Sequence, residues 1–334
     1  MKKSILRLIL VFCCSISFQV GHSQEISKSH YVSAKEYLKK DSVRLALAEL
    51  DSATQISPNF SEAYMLKGQI WENKENYRKA IGQYSLAVLY DPKLTQAYLR
   101  RAELHFKLKD HRDYVLNDVG EAIRFDPENA EFYALKAYYY AHTISPETLK
   151  PDYENAIRSI THAIQLNPEN ALYFKERSEY KFRYEQPLSA LADIDKAIEK
   201  DDSNDSYYYH RGFIRFMMGN YRSSLPDLSR AIELNAKVYS YFQLRGNALY
   251  NMGRYDRAYN DYSSTIDLLF MEIARIKKRL SPDDPLNLNL RQTLMLRGMT
   301  LVQENKPYDG CDDFERALQM GESKAANYIR KYCQ

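Results

Sequence analysis

Residues 61–94 read SEAYMLKGQIWENKENYRKAIGQYSLAVLYDPKL. In the second half, Ala80, Tyr84 and Ala87 are spaced four and then three apart, so on a helix they share one face as small, bulky, small. In the first half, Tyr64, Gly68 and Trp71 mark an earlier helix, and Asn76-Tyr77 falls at the turn between the two. Pro92 closes the stretch, because proline has no N–H to donate and disfavours helix at the residue before it. The stretch reads as two helices joined by a short turn.

Pro58 and Pro92 are 34 residues apart, as are Gly212 and Gly246, and the same face recurs along the chain at that period. Before residue 80 it is Ala46, Leu50, Ala53; after it come Val115, Val119, Ala122, then Ala156, Ile160, Ala163, then Ala190, Ile194, Ala197. Ser224, Leu228, Ala231 follow, then Ala258, Tyr262, Thr265 and finally Gly310, Phe314, Ala317. The first helix of each unit carries a small residue at a matching place: Ala34, Gly68, Ala102, Ala137, Ser178, Gly212, Gly246 and Gly298. A small residue there lets the two helices approach while the bulky residue opposite fills the gap. Pro58, Pro92, Pro127 and Pro168 end second helices; Asp202, Ala236 and Glu322 replace the proline later.

This pattern resembles the tetratricopeptide repeat (TPR) family from about Ser27 to Lys324. The resemblance implies an all-α, right-handed α-solenoid occupying residues 24–334, built of about eight helix hairpins plus a C-terminal capping helix at 323–334. The expected repeats are 27–60, 61–94, 95–129, 130–170, 171–204, 205–238, 239–272 and 291–324. Two expansions, at 142–152 and 268–290, depart from the period; the second is expected as an elongated helix from about Thr265 to Leu280 and a turn at 281–285. The resemblance also implies a non-enzymatic interaction module whose first helices line a concave groove for a protein or peptide partner. Carried over by position, the groove residues are Tyr138, Tyr209, Phe213, Phe216, Met217, Asn247, Tyr250, Met295 and Met299, with a polar stretch earlier at Gln69, Glu72, Asn73, Arg100, Glu103 and Lys107. Methionine and aromatic side chains suit adaptable apolar recognition, although an aromatic stripe at helical spacing is also what an inter-repeat core looks like. Lys175 is followed four residues later by Glu179, so the lysine and asparagine set that captures carboxylate tails in this family is not reproduced. A second reading is an envelope glycan-binding protein, its tyrosines stacking on sugar rings.

The amino terminus carries its own signal. Lys2, Lys3 and Arg7 precede an apolar run from Leu8 to Phe18, and Gly21 and Ser23 follow at the spacing of a secretory cleavage site, so residues 1–23 are expected to be removed on export to a periplasmic or envelope location. Phe12 before Cys13 disfavours lipidation, and the run is shorter than the roughly 20 residues a membrane crossing needs. The 47 basic and 44 acidic residues of the whole chain become 44 of each once Lys2, Lys3 and Arg7 leave, which argues against a nucleic-acid partner. Only 11 glycines and 11 prolines occur in 334 residues, against averages of roughly 7% and 5%, which favours helix over hairpin-rich sheet. Tyrosine is abundant, at 29 residues.

No glycine-rich phosphate loop, HExxH, CxxC or GxSxG spacing exists, so no catalytic, metal or cofactor residue is expected. The two cysteines beyond the signal, Cys311 and Cys333, are expected to pair. Their midpoint falls beside Gly321, where a turn capped by Ser323 would fold the last two helices back on each other and bring the cysteines side by side.

Overall fold

The computed structural model describes residues 23–145, 148–276 and 280–333; the expected signal segment, residues 1–22 of it, lies outside them. The chain forms two compact units that divide after Asn167. The first unit holds four helix hairpins: α1 (23–39) with α2 (Val43–Ile56), α3 (Ser61–Asn73) with α4 (Tyr77–Tyr90), α5 (Thr95–Lys107) with α6 (Arg112–Phe125), and α7 (Ala130–His142) with α8 (Tyr153–Leu166). The second holds four more: α9 (Ala171–Arg183) with α10 (Pro187–Lys200), α11 (Asp205–Met217) with α12 (Tyr221–Leu234), α13 (Tyr239–Asn251) with α14 (Tyr255–Arg275), and α15 (Pro285–Gln303) with α16 (Cys311–Gln319). A final helix, α17 (Ala325–Tyr332), packs on α16. Among the described residues the only extended pairing is an isolated antiparallel bridge between Ile144 and Pro151, inside the first expansion.

The repeated face of the second helices is the core. Leu50, Tyr84, Val119, Ile160, Ile194, Leu228, Tyr262 and Phe314 are all fully buried, as are the small residues flanking them. Each bulky side chain occupies the space vacated by the small residue on its partner helix. A Cβ added at Gly68 would meet the Tyr84 ring at 2.3 Å, one at Gly246 the Tyr262 ring at 2.9 Å, and one at Gly298 the Phe314 ring at 2.7 Å. Where serine stands instead, its hydroxyl is satisfied across the hairpin, Ser178 Oγ donating to the Ala190 carbonyl at 2.8 Å.

Second helices end two residues before Pro58, Pro92, Pro127 and Pro168, and equally two before Asp202 and Ala236. Proline therefore reinforces a stop that hairpin length already sets. The turn inside most hairpins needs one left-handed residue: Asp41, Glu75, Lys109, Glu185 and Asn305 adopt φ of 55–60°, while Gly219 and Gly253 sit at 78° and 71°. The second expansion lengthens both flanking helices, α14 to 21 residues and α15 to 19, so the eighth hairpin begins at Pro285 instead of 291 and the elongated α14 stops at Arg275. Gly321 is left-handed at φ 95°, as the last turn requires, but Ser323 does not cap: α17 starts one residue later than that cap would place it, with Lys324 at its N-cap and no side-chain bond there.

Candidate functional site

Within each unit the first helices present the residues that the repeat pattern assigns to a groove. In the first unit much of the polar set is engaged internally. Glu72 accepts a hydrogen bond from the Tyr84 hydroxyl at 2.6 Å and lies 3.5 Å from Arg100; Arg100 also pairs with Glu103 at 2.9 Å. Burial, helped by the Glu72 carboxylate, pushes the Tyr84 phenol well above its ordinary range, so it stays a neutral donor. Lys107 donates to the Tyr77 hydroxyl at 2.7 Å, its ammonium 4.2 Å from the ring centre. Tyr138 on α7 is 38% exposed, stacked on His142 at 4.1 Å and edge-on to Phe106 at 5.7 Å.

In the second unit the structure gathers Tyr209, Phe213, Phe216 and Met217 along α11. Phe213 meets Phe182 of α9 edge-on at 5.5 Å, Tyr209 lies 4.9 Å from Tyr241, and Phe216 lies 5.2 Å from Tyr221. Met217 is 57% exposed. Below the aromatic edge, Glu179 of α9 is held by Lys175 at 2.9 Å and Arg183 at 3.2 Å.

The other expected groove residues have structural duties. Asn247 Oδ1 accepts from the Tyr262 hydroxyl at 2.9 Å, and Tyr250 packs against Tyr255 at 5.3 Å. Met295 is 8% exposed and belongs to the core formed with Leu290, Leu294 and Phe314. Met299 packs at the edge of this core and, with Val302 and Tyr328, lines a small cleft beneath α17. Cys311 and Cys333 lie with Cα atoms 5.8 Å apart and their sulfurs at bonding distance.

Some features had no counterpart in the sequence reading. Arginine precedes the small residue of five first helices and aspartate precedes the bulky residue of the matching second helix: Arg101 with Asp118, Arg177 with Asp193, Arg211 with Asp227, Arg245 with Asp261, and Arg297 with Asp313. Each pair closes at 2.6–2.7 Å, and the aspartates are almost completely buried. The recurrence at 16 or 17 residues was available as a signal, but a charge beside a small residue reads as solvent-facing until the partner's burial is known. Most of these arginines also reach back to the preceding hairpin: Arg101 to Ser85 at 2.9 Å, Arg211 to Asp195 at 2.7 Å, Arg245 to Ser229 at 3.1 Å and Arg297 to Ser263 at 3.2 Å.

Two titratable groups on the first helices of the second unit are also displaced. Burial raises Glu176 from 4.5 to about 7, the Lys175 ammonium opposing it and the Glu179 carboxylate adding to it. Burial lowers His210 from 6.5 to about 4, reinforced by Lys175 and opposed by Glu179. Among the described residues no group of three or more His, Cys, Asp or Glu is placed to hold a metal ion, and no helix is long and apolar enough to cross a membrane.

No family model matches the sequence, and no curated protein is significantly similar to it. Solved structures are similar in fold. The C-terminal part of a TPR repeat-containing protein from Cytophaga hutchinsonii aligns over 78% of this chain and 98% of its own, at 13% identity and a TM-score of 0.61. A tetratricopeptide repeat protein from Parabacteroides merdae aligns over 93% and 100% at 16% identity, TM-score 0.41. YrrB, described as a TPR protein with an unusual peptide-binding site, aligns over 63% and 97% at 18% identity, TM-score 0.43. The hairpin architecture and the first of these likenesses define an all-α repeat protein. The chain has the helix-hairpin fold of tetratricopeptide-repeat proteins.

Proposed function

We propose that this chain is a non-enzymatic docking module, exported to the cell envelope, that holds a protein or peptide partner against the first helices of its second unit. The observation that carries the reading is the α11 edge, where Met217 stands 57% exposed beside Phe213 and Phe216 without belonging to any core. A partner that covers it removes apolar surface from water, which offsets the rotamer entropy lost in ordering the side chain. Export rests on the order of charge, apolar run and small residues at 1–23.

Proximity labelling in the native envelope, with wild type beside Phe213→Ala and Met217→Ala variants, tests it. Partner recovery is expected to fall with both variants, each costing more than about 1 kcal/mol of binding, while their melting temperatures fall little. Unchanged recovery from both, or a loss that merely tracks unfolding, would overturn the groove; glycan retention lost in place of protein capture would favour the sugar-binding reading. Intact mass of the envelope-extracted protein tests export, which fails if Met1 is retained.

A further inference from the structure

The turn of the third hairpin and the first expansion of the fourth enclose a cleft of about 640 Å3, within the roughly 300–1,000 Å3 usual for ligand sites. Its charge is unbalanced. Lys107, Lys109 and Arg112 line it against one carboxylate, Asp110, and that carboxylate is already held by both nitrogens of Arg78 at 2.7 and 2.6 Å and by His105 Nδ1 at 2.8 Å. The Arg78 hydrogen bonds hold Asp110 below its ordinary pKa, so it stays ionised and paired. Arg112 is 8% exposed, sits 4.9 Å from the Tyr140 ring, and bonds Asp152 through Nη2 at 2.9 Å. Its Nε is buried without an acceptor. A buried N–H without an acceptor costs free energy, and Arg112 itself lines the cleft. The amino end of the 14-residue α6 opens into the same cleft at His111 and Arg112, adding its own partial positive charge.

Part of the lining is apolar. Phe106 forms one side, and the Ile144 bridge to Pro151 sets Ile144 at the lip, 63% exposed. His142, also in the lining, donates from Nδ1 to the Tyr138 carbonyl at 2.8 Å, since a carbonyl can only accept, and its ring stacks on Tyr138. The cleft therefore adjoins a residue that the repeat pattern assigns to the groove.

We propose that this cleft is a subsite for an acidic stretch of the partner: a glutamate or aspartate side chain directed at Lys109 and Arg112, with a neighbouring aliphatic residue against Phe106 and Ile144. The proposal rests on the reading of the chain as a peptide-docking module, and deepens it by giving the partner's chemistry. The site lies at the hairpin turn and in the expansion, so it requires none of the lysines and asparagines of tail capture.

Binding of a labelled hexapeptide, Gly-Leu-Glu-Glu-Leu-Gly, acetylated and amidated so that only side chains carry charge, tests the proposal on the purified chain, with the Lys-Lys counterpart as control. Lys109→Glu is a safe reversal, because Glu75 and Glu185 occupy the equivalent left-handed position in other hairpins at φ 58° and 60°. The acidic peptide is expected to bind, to weaken about tenfold in Lys109→Glu and in Ile144→Asp, and to weaken with added salt. Equal binding of the acidic and basic peptides, no binding of the acidic one, or indifference to Lys109→Glu would each overturn the subsite. Met217→Ala separates the two readings. An acidic peptide that binds this variant normally while partner capture is lost supports both; loss of peptide binding in Met217→Ala would place the peptide on α11 and reject the cleft.

Discussion

At Gly68 a methyl group would come within 2.3 Å of Tyr84 Cε1, at Gly253 it would meet nothing within 4 Å but would sit on a residue with φ of 71°, and at Gly82 it would meet neither obstacle. One substitution should then have three outcomes. Gly68→Ala overpacks a closed hairpin and is expected to cost about 1–3 kcal/mol. Gly253→Ala forces a left-handed alanine and should cost about 1 kcal/mol. Gly82→Ala, on the exposed face of α4, should stabilise by about 0.5–1 kcal/mol. Urea unfolding of the three variants checks the order, and a Gly82→Ala chain as weakened as Gly68→Ala would contradict it. The four-and-three spacing made Gly68 and Tyr84 legible as facing residues before any coordinates. The turns were not legible in the same way, because Glu75, Lys109 and Glu185 hold left-handed positions that a reader expects glycine to mark. Their strain is small beside the packing of the hairpins they join.

Helices α9 and α11 carry Glu176 and His210, whose displaced ionisations act on stability in opposite directions. Glu176 ionises near 4.5 when unfolded and near 7 in the fold, so its contribution is fully present below pH 4.5 and is lost as pH rises through 7. His210 takes its proton near 6.5 when unfolded and near 4 in the fold, so its contribution is present above pH 6.5 and is lost as pH falls toward 4. Between pH 4.5 and 6.5 the two slopes oppose. Calorimetry across that window should show, relative to wild type, Glu176→Gln losing stability as pH is lowered and His210→Gln gaining it; parallel profiles for the two variants would reject the assignment. Neither residue was singled out in the sequence, where each is one charged or polar letter on a first helix and only the burial of neighbouring faces gives it meaning. The same holds for Asp227, which looks solvent-facing in sequence yet accepts from both Arg211 and Arg215. Of the expected groove, Met217 is exposed and Tyr209, Phe213 and Phe216 are half-buried, whereas Met295 is inside, packed with Leu290 of the turn that α15 adds before the period's start, a residue that repeat spacing does not place.

Over the whole molecule, separate apolar clusters follow one another along each unit, so stability is a sum of hairpin and neighbour contributions and chain ends are the weak points. Cys311 and Cys333 join α16 to α17, which is held by α16 and by this contact. The native chain is expected to carry the bond. Unfolded without reductant it should take up no alkyl group on these cysteines, and with reductant two; reduction should cost about 3 kcal/mol and speed hydrogen exchange first in α17. Two alkyl groups without reductant would remove the crosslink from the account. The repeat count and hairpin order were legible because one spacing recurs from Ala46 to Ala317, while the division after Asn167 leaves no mark in that spacing. The back-reaching arginines add a consequence for how such a chain grows. Arg245 seats on Asp261 in its own hairpin and on Ser229 in the one before, two residues beyond the Asp227 that seats Arg211. Plug and socket thus travel within a single stretch of gene, and a tandem duplication yields a copy already fitted to the neighbours on either side, so that lineages can lengthen or shorten this protein by whole hairpins without redesigning a joint.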